Sequence, residues 1–326
     1  MAKLYQKIKE KIKENYLLYV ILINLKAYFF YYLNKVSVYQ YTKMKFYKRL
    51  GYPLNLKNPI SYNHKLVWKK IYDRNPLLPI TADKYQVRSY IREILGEDKA
   101  KQLLVPLLYV TDKPETIPFE ELPPAFIVKP NHASGRYIIV EDGKFNREKI
   151  IDICKKWLVT PYGLNWSEWA YQPIKRKIII EKLLRDDASI LKEFNIFMFH
   201  GECKLVSLVC DKINNTSVSY FDETWKFLSV KRPNRPQGPK IKKPENFERI
   251  LKLAEKLSKP FDHIRVDFYS LNGKIFIGEL THYPGSGFGD FEPSSFSFEL
   301  GKHWKIEPEY WKKSDNKKKN NGVFDQ

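Results

Sequence analysis

Asp267 and Glu279 are the two residues of this chain whose types and spacing point most directly to chemistry. They lie in "IRVDFYSLNGKIFIGELTHYPGSG", residues 264–287, where two apolar stretches flank Leu271-Asn272-Gly273-Lys274. That pattern reads as a β-hairpin. Strand residues alternate faces with a period of two. A turn centred on Gly273 sets Asp267 against Glu279 and Arg265 against Thr281. Ile264, Val266 and Phe268 then share the other face with Phe276, Gly278 and Leu280. A slip of one residue would destroy the pairing. Directly opposed residues have Cβ atoms about 5 Å apart, and like charges there repel. Two such carboxylates must share a proton, find cations or bind metal. Mg²⁺ takes carboxylate oxygens in just this way, with phosphates completing its shell. The competing reading is a pair of solvated acids on an edge hairpin, and the hairpin alone does not choose.

Other charged residues stand at the ends of predicted strands and helices. Lys129 closes the apolar run "AFIVKP" (125–130), which pairs as a strand with "RYIIV" (136–140) around "NHAS". A cation there wants an anion, or must snorkel to water. Glu181 ends a second buried strand in "RKIIIEKLL" (176–184), with Arg176 as one available counter-charge. Lys84 opens a predicted helix over 83–95, and further helices are expected at 145–159 and 245–259. Residues 193–210 read as a hairpin turning at Gly201-Glu202, and "RPNRPQGPKIKKP" (232–244) as a Pro-rich basic loop. The tail, 312–326, reads as solvated.

These elements sit in a chain of 326 residues, long enough for two or three subdomains around a shared cleft. An apolar fraction of 43% excludes a disordered chain. The net charge of +20 favours polyanions without choosing among nucleic acid, anionic lipid, nucleotide phosphates and acidic glycan. Three cysteines, Cys154, Cys203 and Cys210, have no CxxC spacing and read as buried thiols, not as disulfides or a zinc site. No signal peptide is recognisable. Residues 1–50 hold eleven basic and two acidic residues, with Ile8, Ile12 and Tyr16 spaced for one helical face. The apolar run 16–33 is interrupted by Asn24 and Lys26, and a central lysine disfavours a membrane span by about 3 kcal/mol. The run is expected to pack on the main body, lie on a membrane surface or meet a partner.

The stretches "LNLKNPISYNHKLVW", "ADKYQVRSYI", "KPNHASG" and "GELTHYPGSG", in that order, resemble the TupA-like branch of the ATP-grasp superfamily, over roughly residues 50–305. The resemblance implies an α+β ATP-grasp fold, with two α+β subdomains gripping the nucleotide and an N-terminal helical extension. It divides the chain into a basic helical region (1–50), the first part of the body (51–105), a lid subdomain (106–184), a C-terminal subdomain with the metal site (185–310) and a disordered tail (311–326). It implies ATP and Mg²⁺. Lys84 and Lys129 would hold phosphates, beneath a lid loop carrying His132, Ser134 and Gly135. Glu181, with the backbone of Lys182 and Leu184, would hold adenine, and Asp186 and Asp187 the ribose. Asp267 and Glu279 would hold the metal, and Arg265 would neutralise the transferring group. Three positions depart from the branch: Thr281 where Asn often follows the second acid, Asn195 where Lys is usual, and His64 where Glu is usual.

The function so implied is an ATP-dependent carboxylate–amine ligase in cell-surface polysaccharide biosynthesis. An acidic glycan or uronic acid and an amine or amino acid would be its substrates. It would be cytoplasmic or at the inner face of the cell membrane, with peripheral contact through residues 1–35. A glycosyltransferase or sugar kinase on the same scaffold is the alternative. A non-enzymatic membrane- or nucleic-acid-binding protein is a third reading; no helix-turn-helix, RRM or zinc pattern supports specific nucleic-acid binding.

Overall fold

The computed structural model describes residues 15–37, 39–185, 192–210, 217–233 and 235–312. In chain order the helices are α1 (Tyr16–Val36), α2 (Gln40–Leu50), α3 (Tyr62–Tyr72), α4 (Leu77–Ala82), α5 (Val87–Leu95), α6 (Glu97–Leu103), α7 (Arg147–Val159), α8 (Phe247–Ser258) and α9 (Ser295–Lys302). The strands are β1 (Leu107–Thr111), β2 (Phe126–Pro130), β3 (Ile138–Val140), β4 (Ile178–Lys182), β5 (Lys192–Phe199), β6 (Glu202–Cys210), β7 (Ser217–Phe221), β8 (Phe227–Leu228), β9 (His263–Leu271) and β10 (Lys274–Thr281). Contacts divide them into two units, Met1–Lys43 with Pro106–Leu183, and Met44–Val105 with Leu184–Gln326.

The first unit is built on a four-stranded sheet in the order β1-β4-β2-β3, antiparallel throughout. Alternating apolar residues of β2 and β4 (Phe126, Val128, Ile178, Ile180) meet Ile150 and Cys154 of α7 in one core. Both described free cysteines, Cys154 and Cys203, are buried, and burial pushes each thiol up to about 12. Helix α1 does pack on this unit, but by one side only. Tyr19 Oη meets Thr160 Oγ1 at 3.4 Å, and Asn24 Nδ2 donates to the Val159 carbonyl. Residues 1–14, with Ile8 and Ile12, and the tail from 313 onward lie outside the described residues.

The second unit holds a six-stranded antiparallel sheet, β10-β9-β5-β6-β7-β8. Period-two alternation supplies it with two apolar faces. Phe194, Ile196, Ile264, Val266 and Phe268 pack with Phe247, Ile250 and Leu257 of α8. Phe197, Phe199 and Leu205 face Tyr62 and Leu66 of α3, Leu300 of α9 and Trp304. Helix α3 is anchored by the fully buried Lys69, whose ammonium lies 2.6 Å from Asp73 and 2.5 Å from Asp262. The β5–β6 turn falls at His200-Gly201, not Gly201-Glu202. Both of its residues take positive φ (51° and 86°), as a two-residue hairpin turn of this hand requires.

Candidate active site

The β9–β10 hairpin turns on Asn272-Gly273, at φ 48° and 76°, one bond earlier than a turn centred on Gly273. Near the turn, Ile275 pairs with Ser270 and Ile277 with Phe268. Continued unchanged, that register would set Glu279 against Val266, on the core side. A β-bulge between Ile277 and Glu279 inserts one residue, and beyond it Glu279 pairs with Asp267 and Thr281 with Arg265. Ile275, Ile277 and Leu280 are therefore the buried apolar residues of β10, and Phe276 lies on the face of the acids, not on the core face. Gly278 permits the bulge: a Cβ there would stand 2.8 Å from the Tyr269 ring.

The two opposed acids are each matched by their own cation. Arg265 grips Asp267 with both prongs of its guanidinium, Nε to Oδ1 at 2.7 Å and Nη2 to Oδ2 at 2.6 Å. Thr281 Oγ1 donates to Asp267 Oδ2 at 3.2 Å. The Asn195 amide, with its NH₂ group turned toward the acids, donates to Asp267 Oδ1 (3.0 Å) and Glu193 Oε1 (2.9 Å), while its oxygen accepts from Ser207 (3.2 Å). Asp267 thus receives four donors, the full complement of a carboxylate. Burial lowers the Arg265 guanidinium, but Asp267 and then Glu279 outweigh it and hold the group above its usual value. Glu279 is more open, with Lys84 Nζ 3.5 Å from Oε2. On the second unit, Lys84, just before α5, thus pairs with Glu279 and Arg265 with Asp267, so that each of the two opposed acids has a cation.

Asn195 stands on β5 beside Asp267, so a neutral amide fills the place where a lysine is usual in the branch. Its two-way bridge also recruits Glu193 and Ser207, which sequence reasoning passed over. The available signal was two polar residues of matching parity on an otherwise apolar strand. Arg232, at the head of the Pro-rich loop, was passed over as well. Its Nε donates to Tyr220 Oη at 2.9 Å, and its guanidinium lies over the Phe291 ring at 5.1 Å. It rests on Gly289, where a Cβ would meet Nη1 at 2.1 Å. Among the described residues no acid comes within ion-pair distance of Arg232.

In the first unit, Lys129 of β2 and Glu181 of β4 form an ion pair at 2.9 Å, so Lys129, and not Arg176, is the counter-charge of Glu181. Arg176 donates instead to the Leu158 carbonyl. The Lys182 N–H is taken by the Pro106 carbonyl, and Leu184 lies half-buried just past the strand. In the 131–136 loop, Ser134 and Gly135 are exposed at the tip, with Gly135 at φ 69°. His132 is buried, with Nδ1 3.3 Å from Asn131 Oδ1. Asn131 in turn bonds the backbone at Lys175 and Lys177, fixing the base of the loop. Asp186 and Asp187 lie outside the described residues.

His64 has a structural explanation. It occupies the third position of α3, where Ser61 Oγ accepts from the His64 N–H (3.1 Å) and His64 Nδ1 accepts from the Ser61 N–H. That is the capping box a glutamate commonly closes. Nε2–H donates to the Pro53 carbonyl at 2.9 Å, and burial holds the ring's pKa below its usual value, keeping Nδ1 free to accept.

Among the described residues no group of three or more His, Cys, Asp or Glu is arranged to hold a metal ion. Two carboxylates do suffice where phosphate oxygens and water complete an Mg²⁺ shell. Glu279 fits that role as it stands; Asp267 fits it on giving up one of its four donors.

No curated protein matches the chain. Among solved structures, it is similar to the D-alanine–D-alanine ligase of Bacillus anthracis, with 18% identity and a TM-score of 0.38, covering 62% of this chain and 57% of that one. The Helicobacter pylori D-alanine–D-alanine ligase gives 16%, 0.41, 76% and 70%. An L-amino acid ligase from Bacillus licheniformis gives 13%, 0.38, 68% and 45%. The chain spans less than two thirds of the length of the Bacillus anthracis enzyme. Partial overlaps of this kind carry no argument by themselves. A family model described as TupA-like ATP-grasp, however, matches residues 64–305. That span takes in Lys84, Lys129, Glu181, Arg265, Asp267 and Glu279, and the chain belongs to the TupA-like ATP-grasp family.

Proposed function

We propose that the protein is an ATP- and Mg²⁺-dependent carboxylate–amine ligase acting on a cell-surface glycan or its precursor. The observation that carries this reading is the opposed Asp267–Glu279 pair, held in register by a bulge and matched by Arg265 and Lys84. Opposed acids on a covered sheet are a poor choice for stability alone, and a good one for a site that must receive a cation and then phosphates. When bound, Mg²⁺ supplies charge neutralisation at the phosphate oxygens, with Glu279 and Asp267 as its protein ligands. Lys84 would leave Glu279 for a phosphate. Lys129 and Glu181 would serve the nucleotide, as the family resemblance implies.

In the chemistry proposed, a substrate carboxylate oxygen bonds to the γ-phosphorus of ATP and the bond to the β-phosphate oxygen breaks, giving an acyl phosphate and ADP. An amine then bonds to the acyl carbon, loses its proton, and inorganic phosphate leaves. Arg265 would neutralise the charge that gathers on the transferring group, and the protein's work would be positioning and electrostatics. Arg232, with no acid at ion-pair distance among the described residues, would take an anionic group of the substrate. A uronic acid suits the net charge of +20.

Thermal unfolding with ATP, with and without Mg²⁺, followed by ADP release against uronic-acid glycans and amino acids, tests this. Glu279→Gln is expected to reduce ADP formation at least 100-fold. Full activity in that variant, or no Mg²⁺-dependent response to ATP, would overturn the reading.

A further inference from the structure

Helix α1 is apolar on two sides, and only one of them meets the protein. The inward side mixes half-buried Val20, Ile23, Phe30 and Tyr31 with the buried Ala27 and Asn34; Asn24 bonds the end of α7, and Asn34 Oδ1 accepts from Thr42 at 2.7 Å. The outward side carries Leu18, Ile21, Leu25, Phe29, Tyr32 and Val36, all exposed, with Leu25 62%, Phe29 61% and Val36 83% accessible. At 3.6 residues per turn, Leu18, Leu25, Phe29 and Val36 fall within about 40° of one another, in the middle of that side. Lys26 and Lys35 stand on its opposite shoulders, each about 80–100° from the centre, and both are exposed. A broad apolar face of the helix is therefore turned to solvent, and packing on the protein does not account for it.

The charges say what such a face would meet. Residues 15–50 contain six Lys or Arg and no Asp or Glu, and residues 1–14 add five lysines against two glutamates. A second copy of the helix would bring lysines together with no acid on either α1 to receive them. No helix among the described residues is long and apolar enough to cross a membrane. An apolar stripe edged by lysines and rich in tyrosine is the pattern of a helix lying in the plane of a bilayer surface. There the stripe enters the boundary between headgroups and acyl chains, and the lysine stems extend to the phosphates. We propose that α1 is such a surface helix, binding anionic bilayers with its axis parallel to the membrane. This does not depend on the ligase reading.

The full chain is tested by sedimentation with large vesicles of phosphatidylcholine alone and with 30% phosphatidylglycerol. Binding to the anionic vesicles, weakened by 0.5 M NaCl, is expected. Leu25→Asp with Phe29→Asp should lower that binding at least tenfold. These side chains are exposed, so the thermal unfolding midpoint should stay unchanged. Lys26→Gln with Lys35→Gln should lower binding to the anionic vesicles on the order of tenfold. Failure of the full chain to bind anionic vesicles, or undiminished binding by the Asp variant, overturns the proposal. So does binding that is equal on both vesicle types, or a dimer that the Asp variant splits while lipid binding is absent.

Discussion

At the scale of single residues, the opposed acids are compatible because each has its own cation, and the two are not equivalent. Asp267 is nearly buried and saturated, whereas Glu279 is a quarter exposed and loosely paired. Removing the guanidinium would strand a buried carboxylate, a change that typically destabilises by 3–5 kcal/mol. Arg265→Ala is therefore expected to lower unfolding free energy by roughly 3 kcal/mol in urea titration, and adding Asp267→Asn should recover part of it. No recovery in the double variant would mean that the pair is not the source of the loss. Arg232 presents a different case, a positioned cation with no acid at ion-pair distance among the described residues. Arg232→Ala should raise KM for the acidic substrate about tenfold, as expected for one charge-assisted contact, and leave KM for ATP unchanged. A rise in both would place Arg232 at the nucleotide instead.

At the scale of elements, the hairpin and the start of α3 show where sequence reading succeeds and where it stops. The Asp267–Glu279 pairing was legible, but from a turn placed one bond off, and the bulge at Gly278 compensates. Its trace in the sequence is a phase break, Ile275-x-Ile277-x-x-Leu280 around a strand glycine. His64 looked like a bare departure from the glutamate usual in the branch until its ring was seen closing a capping box. His64→Glu should restore the commoner form of that box and change stability by less than about 1 kcal/mol. His64→Ala, losing both the box and the bond to Pro53, should cost about 1–2 kcal/mol. Equal losses in both variants, measured by urea midpoint, would refute the capping role. Long amphipathic helices such as α8 were readable from period alone. The short helices α4 and α6 were not, because six or seven residues carry too little periodicity.

At the scale of the whole molecule, the second unit encloses histidines that must stay neutral. His263 Nδ1–H donates to the Met198 carbonyl at 2.8 Å and Nε2 accepts from Tyr62 Oη at 3.1 Å, so a second proton would break the latter bond. Burial, then the nearby Lys69, lowers its pKa to about 3. His282, bonded to Thr81 Oγ1 at 2.7 Å, is held well below its usual value by burial and the same lysine. Folded pKa values below the unfolded value near 6.5 mean that the unfolded chain binds more protons in between. Stability is then full above about pH 6.5 and falls as pH drops toward 3, with a slope approaching about 1.4 kcal/mol per pH unit for each histidine. Urea midpoints at pH 7, 6 and 5 should decline, and His263→Gln should flatten the decline. A midpoint constant from pH 7 to 5 would exclude this linkage.

The sequence by itself determined the apolar periods of the main strands and of α8, the order of the charged motifs along the chain, and the ATP-grasp family they resemble. Those follow from local patterns that repeat every two or 3.6 residues and survive without knowledge of neighbours. Only the tertiary structure decided which charges meet. Lys129 chose Glu181, Lys84 chose Glu279, Asn195 turned to Asp267, and the outward half of α1 was left bare. Each of those outcomes depends on bulges, turns and burial that bring together residues far apart in the chain, and no spacing along one strand or helix encodes them.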